Sequence, residues 1–269
     1  MTNGGGTSEE ERCQKLSSQL GIKREQSLSP SKLDTFQLIQ AHTPLCELPR
    51  RLEKSEEEKR PHYRDPVLVL GGIKDNVRKI AEGQKVDFSK IQFGSIMVFH
   101  DPRNWSLDIQ VMLDILQSKT RSPGGPRGKP IKPVELIFCN PDLLWRGSFQ
   151  TPRLGQGAFI AGFQAIYHSL TGEYYPCIQY GKPLSSTFEY AEAHLMRHLN
   201  VRFPHITSLP KMYMIGDISG ANAANWSSVL VHTGVYDPET GPPAHSPTHQ
   251  AANVEEAVKL VLEQEGYLT

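Results

Sequence analysis

Four short apolar runs constrain what this chain can fold into more than any other feature. Val67–Leu70, Ser95–Phe99, Val134–Cys139 and Lys211–Ile215 are each no longer than six residues, and each breaks at once into glycine, histidine–aspartate, asparagine or glycine–aspartate. Runs of this kind read as strands buried on both faces, because a strand with one wet face alternates apolar and polar residues. Between and after them lie helical patterns over 105–117, 158–170 and 187–199. Val229–His232 adds a further strand. A final helix begins at Asn253, with Glu256 three residues on completing a capping-box-like pair and Val254, Ala257, Val258 and Val261 forming its apolar face. Buried strands alternating with helices predict an α/β fold with a largely parallel sheet.

Upstream, helices are predicted over 12–20, 28–41 and 75–81, and the charge-dense stretch 50–64 reads as a linker or solvated helix end. A length of 269 residues accommodates one large domain or two smaller ones. Its 29 basic and 29 acidic residues cancel, which removes the long-range attraction typical of nucleic-acid and anionic-membrane binders but leaves room for a local patch. The four cysteines, at 13, 46, 139 and 177, show no CxxC spacing; that excludes a disulfide framework or a zinc signature and suits a reducing compartment. No apolar run approaches the roughly 18 residues of a membrane helix.

Candidate functional residues stand where strands end. Thr2, Asn3 and Gly4 offer a hydroxyl, an amide and open backbone N–H groups ahead of a helix, a phosphate-binding arrangement or else a plain terminal tail. Lys182, in Gly181-Lys-Pro183, lies between a strand and a helix, where open α/β sheets bind ligands, or else is a solvent-exposed turn lysine. Asp217 ends an apolar strand and either holds a cation such as Mg²⁺ or caps the helix that follows. His100 and Asp101, and Asn140 and Asp142, are expected at a pocket edge; neither GxGxxG nor GxxxxGK[ST] occurs.

In order along the chain, Thr2-Asn-Gly-Gly-Gly6, Val67-Leu-Val-Leu-Gly-Gly72, Phe99-His-Asp-Pro-Arg-Asn-Trp105, Asn140-Pro-Asp-Leu-Leu-Trp145, Pro152-Arg-Leu-Gly-Gln-Gly-Ala-Phe159, Gly181-Lys-Pro183 and Gly216-Asp-Ile-Ser-Gly-Ala-Asn222 resemble the haloacid dehalogenase (HAD) superfamily, subclass IIA, of the cat eye syndrome critical region protein type. The resemblance covers nearly the whole chain. It implies a Rossmann-like parallel-sheet core, residues 1–50 and 151–269, with an α/β cap inserted at about 60–150. It also implies a Mg²⁺-dependent phosphatase acting on a small phosphate ester, often mitochondrial; the charge balance and short apolar runs add the expectation of no nucleic-acid partner and no transmembrane segment. If no presequence directs it, the compartment is cytoplasmic.

The resemblance assigns the phosphate-binding Thr to Thr2, followed by Asn3 and Gly4, the catalytic lysine to Lys182 and a metal-binding aspartate to Asp217. Two departures follow. The family's DxDG segment, which carries the nucleophile and the general acid, occurs nowhere in these residues, and Gly216–Asn222 is shorter than in relatives by a stretch that includes one acidic position. The expectation is therefore an N-terminally truncated core lacking its first strands, inactive as a phosphatase because a covalent nucleophile is missing. A non-catalytic binding or regulatory protein is the alternative, and an unrelated chemistry on His100 and Asp101 a third.

Overall fold

The computed structural model describes residues 9–19, 67–70, 87–202, 205 and 211–268. The helix α1, Glu9–Gln19, stands apart in sequence from the rest, while the expected helices at 28–41 and 75–81 and the linker at 50–64 lie outside the described residues. Contacts divide the chain into two compact units, one drawn from Met1–Leu143 and Gly155–Gly181, the other from Leu144–Leu154 and Lys182–Thr269.

In the first unit β1 (Val67–Leu70), β2 (Ser95–Val98), β3 (Glu135–Phe138) and β6 (Ile178–Gln179) form a parallel sheet in that order. Val98 stands beside Phe138 and Ile96 beside Leu136. Because side chains alternate across a strand, Ile96, Val98, Leu136 and Phe138 share one face and Ile137 and Cys139 the other. Both sets are buried, which is why the runs read as continuously apolar. The first face packs against α2 (Trp105–Leu116) and α3 (Gln156–Thr171), through Met112, Ile115, Phe159 and Phe163 among others. Phe159 meets both Trp105 and Phe138 edge-on, with centroids 5.6 and 6.4 Å away. The β6 strand is short, and Pro176 just ahead of it has no N–H to give a ladder.

In the second unit β7 (Tyr213–Ile215), β8 (Ser227–Val231) and β9 (His249–Ala251) form a second parallel sheet, in which β7 has one neighbour among the described residues. Helix α4 (Ser185–Arg202), the short α5 (Ile218–Ala223) and α6 (Val254–Gln264) accompany it. Asn253 caps α6 as expected, accepting from the Glu256 N–H at 3.0 Å, while the Glu256 carboxylate accepts from the Ala252 N–H. Of the apolar face assigned to α6, Ala257 is buried and Val261 packs beside it, whereas Val254 and Val258 remain exposed. A two-stranded hairpin, β4 (Leu144–Trp145) and β5 (Arg153–Leu154), was not legible in the sequence.

Two outcomes follow from this packing. Phe159→Ala should destabilise the first unit by about 3–5 kcal/mol, read as a lower denaturant midpoint. Burial pushes the Cys139 thiol from its ordinary 9.0 up to about 12. Folding therefore favours the protonated thiol: its contribution is complete below pH 9.0 and is lost as pH climbs toward 12. Iodoacetamide at about pH 8 should leave Cys139 unmodified in the native chain and alkylate it in denaturant; equal labelling in both states would contradict the burial.

Candidate functional site

A shielded ion pair lies in the second unit, at the carboxyl end of β7. After Ile215 the chain turns through Gly216, whose φ of +94° is strained for any residue with a Cβ. Asp217 then becomes the N-cap of α5, its Oδ1 accepting from the Gly220 N–H at 3.3 Å. Its Oδ2 lies 3.2 Å from the Lys182 Nζ, with the two side chains only 15% and 19% exposed. Shielding of this degree strengthens the attraction relative to a surface pair and limits water's competition for either charge. Lys182 follows Gly181, itself at φ +102°. Of the two readings of Asp217 the helix cap is the one observed, and the same carboxylate pairs with the Lys182 ammonium.

Gly220, missed as a site element, explains how these two loops come so close. A Cβ at that position would fall on the Phe188 ring and lie 3.2 Å from the Pro183 Cα. Its absence lets α5 settle against the turn carrying Lys182 and the start of α4. Phe188 in turn meets Trp226 edge-on at 5.1 Å, and the Trp226 indole donates to Glu192 at 2.7 Å. The small-residue string Ser219-Gly-Ala221 was the available signal, but nothing local names the ring it must admit.

The remaining expected residues belong to the first unit. His100 and Asp101 leave β2, and Asn140 leaves the neighbouring β3, so parallel pairing puts them at one edge of the sheet. Asn140 Oδ1 accepts from the Asp142 N–H at 2.9 Å, closing an Asx turn. The fully buried Gln156 was not singled out by sequence; its Oε1 accepts from the backbone N–H groups of both Cys139 and Asn140 at 2.9 Å. Glycines on either side of it serve the same loop: a Cβ at Gly155 would crowd the Asp142 carbonyl, and one at Gly157 the Pro141 carbonyl. Asn140 and Asp142 thus take part in a locked turn. The Oδ1 of Asp101 is buried without a hydrogen-bond partner among the described residues. Thr2, Asn3 and Gly4 lie outside the described residues.

As a Mg²⁺ site the described residues do not suffice. No group of three His, Cys, Asp or Glu side chains converges among them. Asp217 already divides its oxygens between an ammonium and a helix end. Mg²⁺ wants near-octahedral oxygen ligation, with one or two carboxylates alongside water and substrate phosphate, and a single shared carboxylate does not supply it.

A family model described as HAD-hydrolase-like matches residues 179–257, the segment that holds Lys182 and Asp217. The chain is 30% identical over 302 residues to the cardiolipin synthase (CMP-forming)/mitochondrial hydrolase fusion protein of Schizosaccharomyces pombe, covering 97% of this chain and 47% of that one. It is 28% identical over 311 residues to a mitochondrial hydrolase of Saccharomyces cerevisiae, covering 98% and 85%. The chain thus spans about half the length of the first relative and most of the second. Among solved structures it shares its fold with a 4-nitrophenylphosphatase of Thermotoga maritima, at a TM-score of 0.55, 18% identity and coverage of 96% and 82%. The segment 179–257 is thus HAD-hydrolase-like.

Asp217 offers a direct check of the capping role. Asp217→Ala removes both the cap and the ion pair and should lower stability by about 1–2 kcal/mol, whereas Asp217→Asn keeps a good N-cap and should recover about half of that loss. Equal thermal midpoints for the two variants would show that the cap contributes nothing.

Proposed function

We propose that this chain is the phosphate-handling part of a Mg²⁺-dependent phosphohydrolase of HAD subclass IIA, of the cat eye syndrome critical region protein type, acting on a small phosphate ester. The observation that carries the reading is the Lys182–Asp217 pair, a shielded ammonium fixed 3.2 Å from a carboxylate at a strand end. Lys182 supplies the fixed positive charge that a phosphoryl group needs as its negative charge shifts in the transition state. Thr2, Asn3 and Gly4 are the proposed donors to the phosphate oxygens. Asp217 is the proposed carboxylate for the metal, completed by ligands from outside the described residues, and no step is assigned to that metal. The unit that contains the β1–β2–β3–β6 sheet is the proposed cap, so the expected 60–150 continues through α3 and β6 to Gly181. The unit that contains β7–β9 belongs to the core. A mitochondrial location is supported by the names of the two relatives above.

The sequence contains no DxD segment, hence no aspartate pair of the kind that forms and resolves a phosphoryl–enzyme. This favours a second reading for these 269 residues taken by themselves, namely ligand binding without turnover. The proposal therefore expects the chain to bind inorganic phosphate and Lys182→Met to weaken that binding by about tenfold or more. With Mg²⁺ present, 4-nitrophenyl phosphate should be hydrolysed only by a form extended with a DxDG segment. Turnover by the unextended chain that survives Lys182→Met, or phosphate binding indifferent to that change, would overturn the proposal.

A further inference from the structure

Two helices of the first unit end beside one cavity. Its volume is about 300 Å³. Its walls include Leu116 and Gln117, the last residue and C-cap of α2, and Tyr167 and Thr171 from the last turn of α3. Every residue that lines it belongs to the first unit. The other ends of the two helices, at Asn104 and Gln156, are the ones next to Asp101 and Asn140. The cavity is therefore separate from the strand-end residues described above.

Both signs of charge stand at this cavity. Lys129 Nζ lies 3.2 Å from Glu173 Oε2, with the two side chains 83% and 66% exposed. An ion pair so open to water contributes little to stability, and a ligand can part its members at small cost. The Glu173 backbone is fixed: its N–H donates to Thr171 Oγ1 at 3.2 Å, and that hydroxyl donates to the Tyr167 carbonyl at 2.8 Å. Gln117 Nε2 is buried without a hydrogen-bond partner among the described residues, a donor left unmatched at the wall. Leu116 and Tyr167, both buried, add apolar surface.

These features select a ligand by charge and size. The carboxyl ends of two helices bring partial negative charge to one place, and Glu173 adds a full one. An ammonium is favoured there, and a phosphate with close to two negative charges is not. Lys129 and the Gln117 amide offer donors for a single carboxylate. The volume lies at the lower bound of the roughly 300–1,000 Å³ of ligand pockets, which suits a small metabolite.

We propose that this cavity binds a free apolar α-amino acid as its zwitterion, with the ammonium on Glu173, the carboxylate on Lys129 and the side chain against Leu116 and Tyr167. Without the ligand, Lys129 and Glu173 neutralise each other as its two charges would.

The test is isothermal titration calorimetry of the full 269-residue chain with L-leucine, L-methionine and L-phenylalanine. At least one should bind with one site per chain. L-leucinamide, which lacks the carboxylate, and N-acetyl-L-leucine, which lacks the ammonium, should bind about tenfold more weakly than L-leucine. Lys129→Met should erase the preference for leucine over leucinamide, and Glu173→Gln the preference for leucine over N-acetyl-leucine. A merely structural role for either residue would weaken all three ligands alike and leave these ratios intact. Binding of none of the three amino acids, equal binding of the blocked ligands, or ratios unchanged in the two variants would overturn the proposal. Both variants replace side chains that stand in water, and circular dichroism checks that they fold; should either misfold, the blocked ligands on the unmodified chain decide it.

Discussion

Parallel strand pairing is the constraint on which the rest of the structure depends. A parallel ladder forces each strand to leave the sheet at the same edge as its neighbour and the chain to return over a face, so the sheet is covered and its strands must be apolar on both sides. In the first unit this buries Ile137 and Cys139 on one face while Val98, Phe138, Phe159 and Phe163 fill the other. It also brings the polar residues that follow β2 and β3 to a single edge. In the second unit the same logic carries Gly216 and Asp217 to the end of β7, where a helix begins and an ammonium is already in place.

Polar groups near these edges are held by a few short-range devices. Gln156 uses a single amide oxygen to satisfy two consecutive backbone N–H groups at the end of β3, where strand pairing has run out of partners. Asn140 closes the next turn, and the glycines at 155 and 157 leave space for the carbonyls of Pro141 and Asp142. In the other unit Gly220 has the corresponding role, admitting Phe188 so that the Lys182 turn and the α5 cap come within ion-pair distance. These close approaches, more than any side-chain chemistry, explain why glycine recurs in the loop motifs.

Much of the architecture was legible because it depends on local signals. The strand runs at 67–70, 95–98 and 135–138 and the helices at 105–116, 156–171 and 254–264 fall close to where periodicity and capping residues put them. Asp217 could be read as a cap and as a cation ligand because a strand-ending carboxylate must find compensation of one sort or another. What escaped were elements whose existence rests on distant partners. β9 lies at the end of a Pro-, Gly- and Ser-rich loop and is a strand only because β8 lies beside it. The hairpin at 144–154 mixes apolar, basic and glycine residues with no alternation to mark it.

The sequence by itself determined the α/β class, the parallel strands and the chemistry of the residues that end them, because burial on both faces and helix capping are written in neighbouring positions. Tertiary structure alone decided which of those residues meet. Lys182 and Asp217 are 35 positions apart in sequence yet 3.2 Å apart in space, through a glycine whose missing side chain matters only beside Phe188. Contact across such a separation is set by packing, and packing depends on the shape of surfaces that no local window of sequence contains.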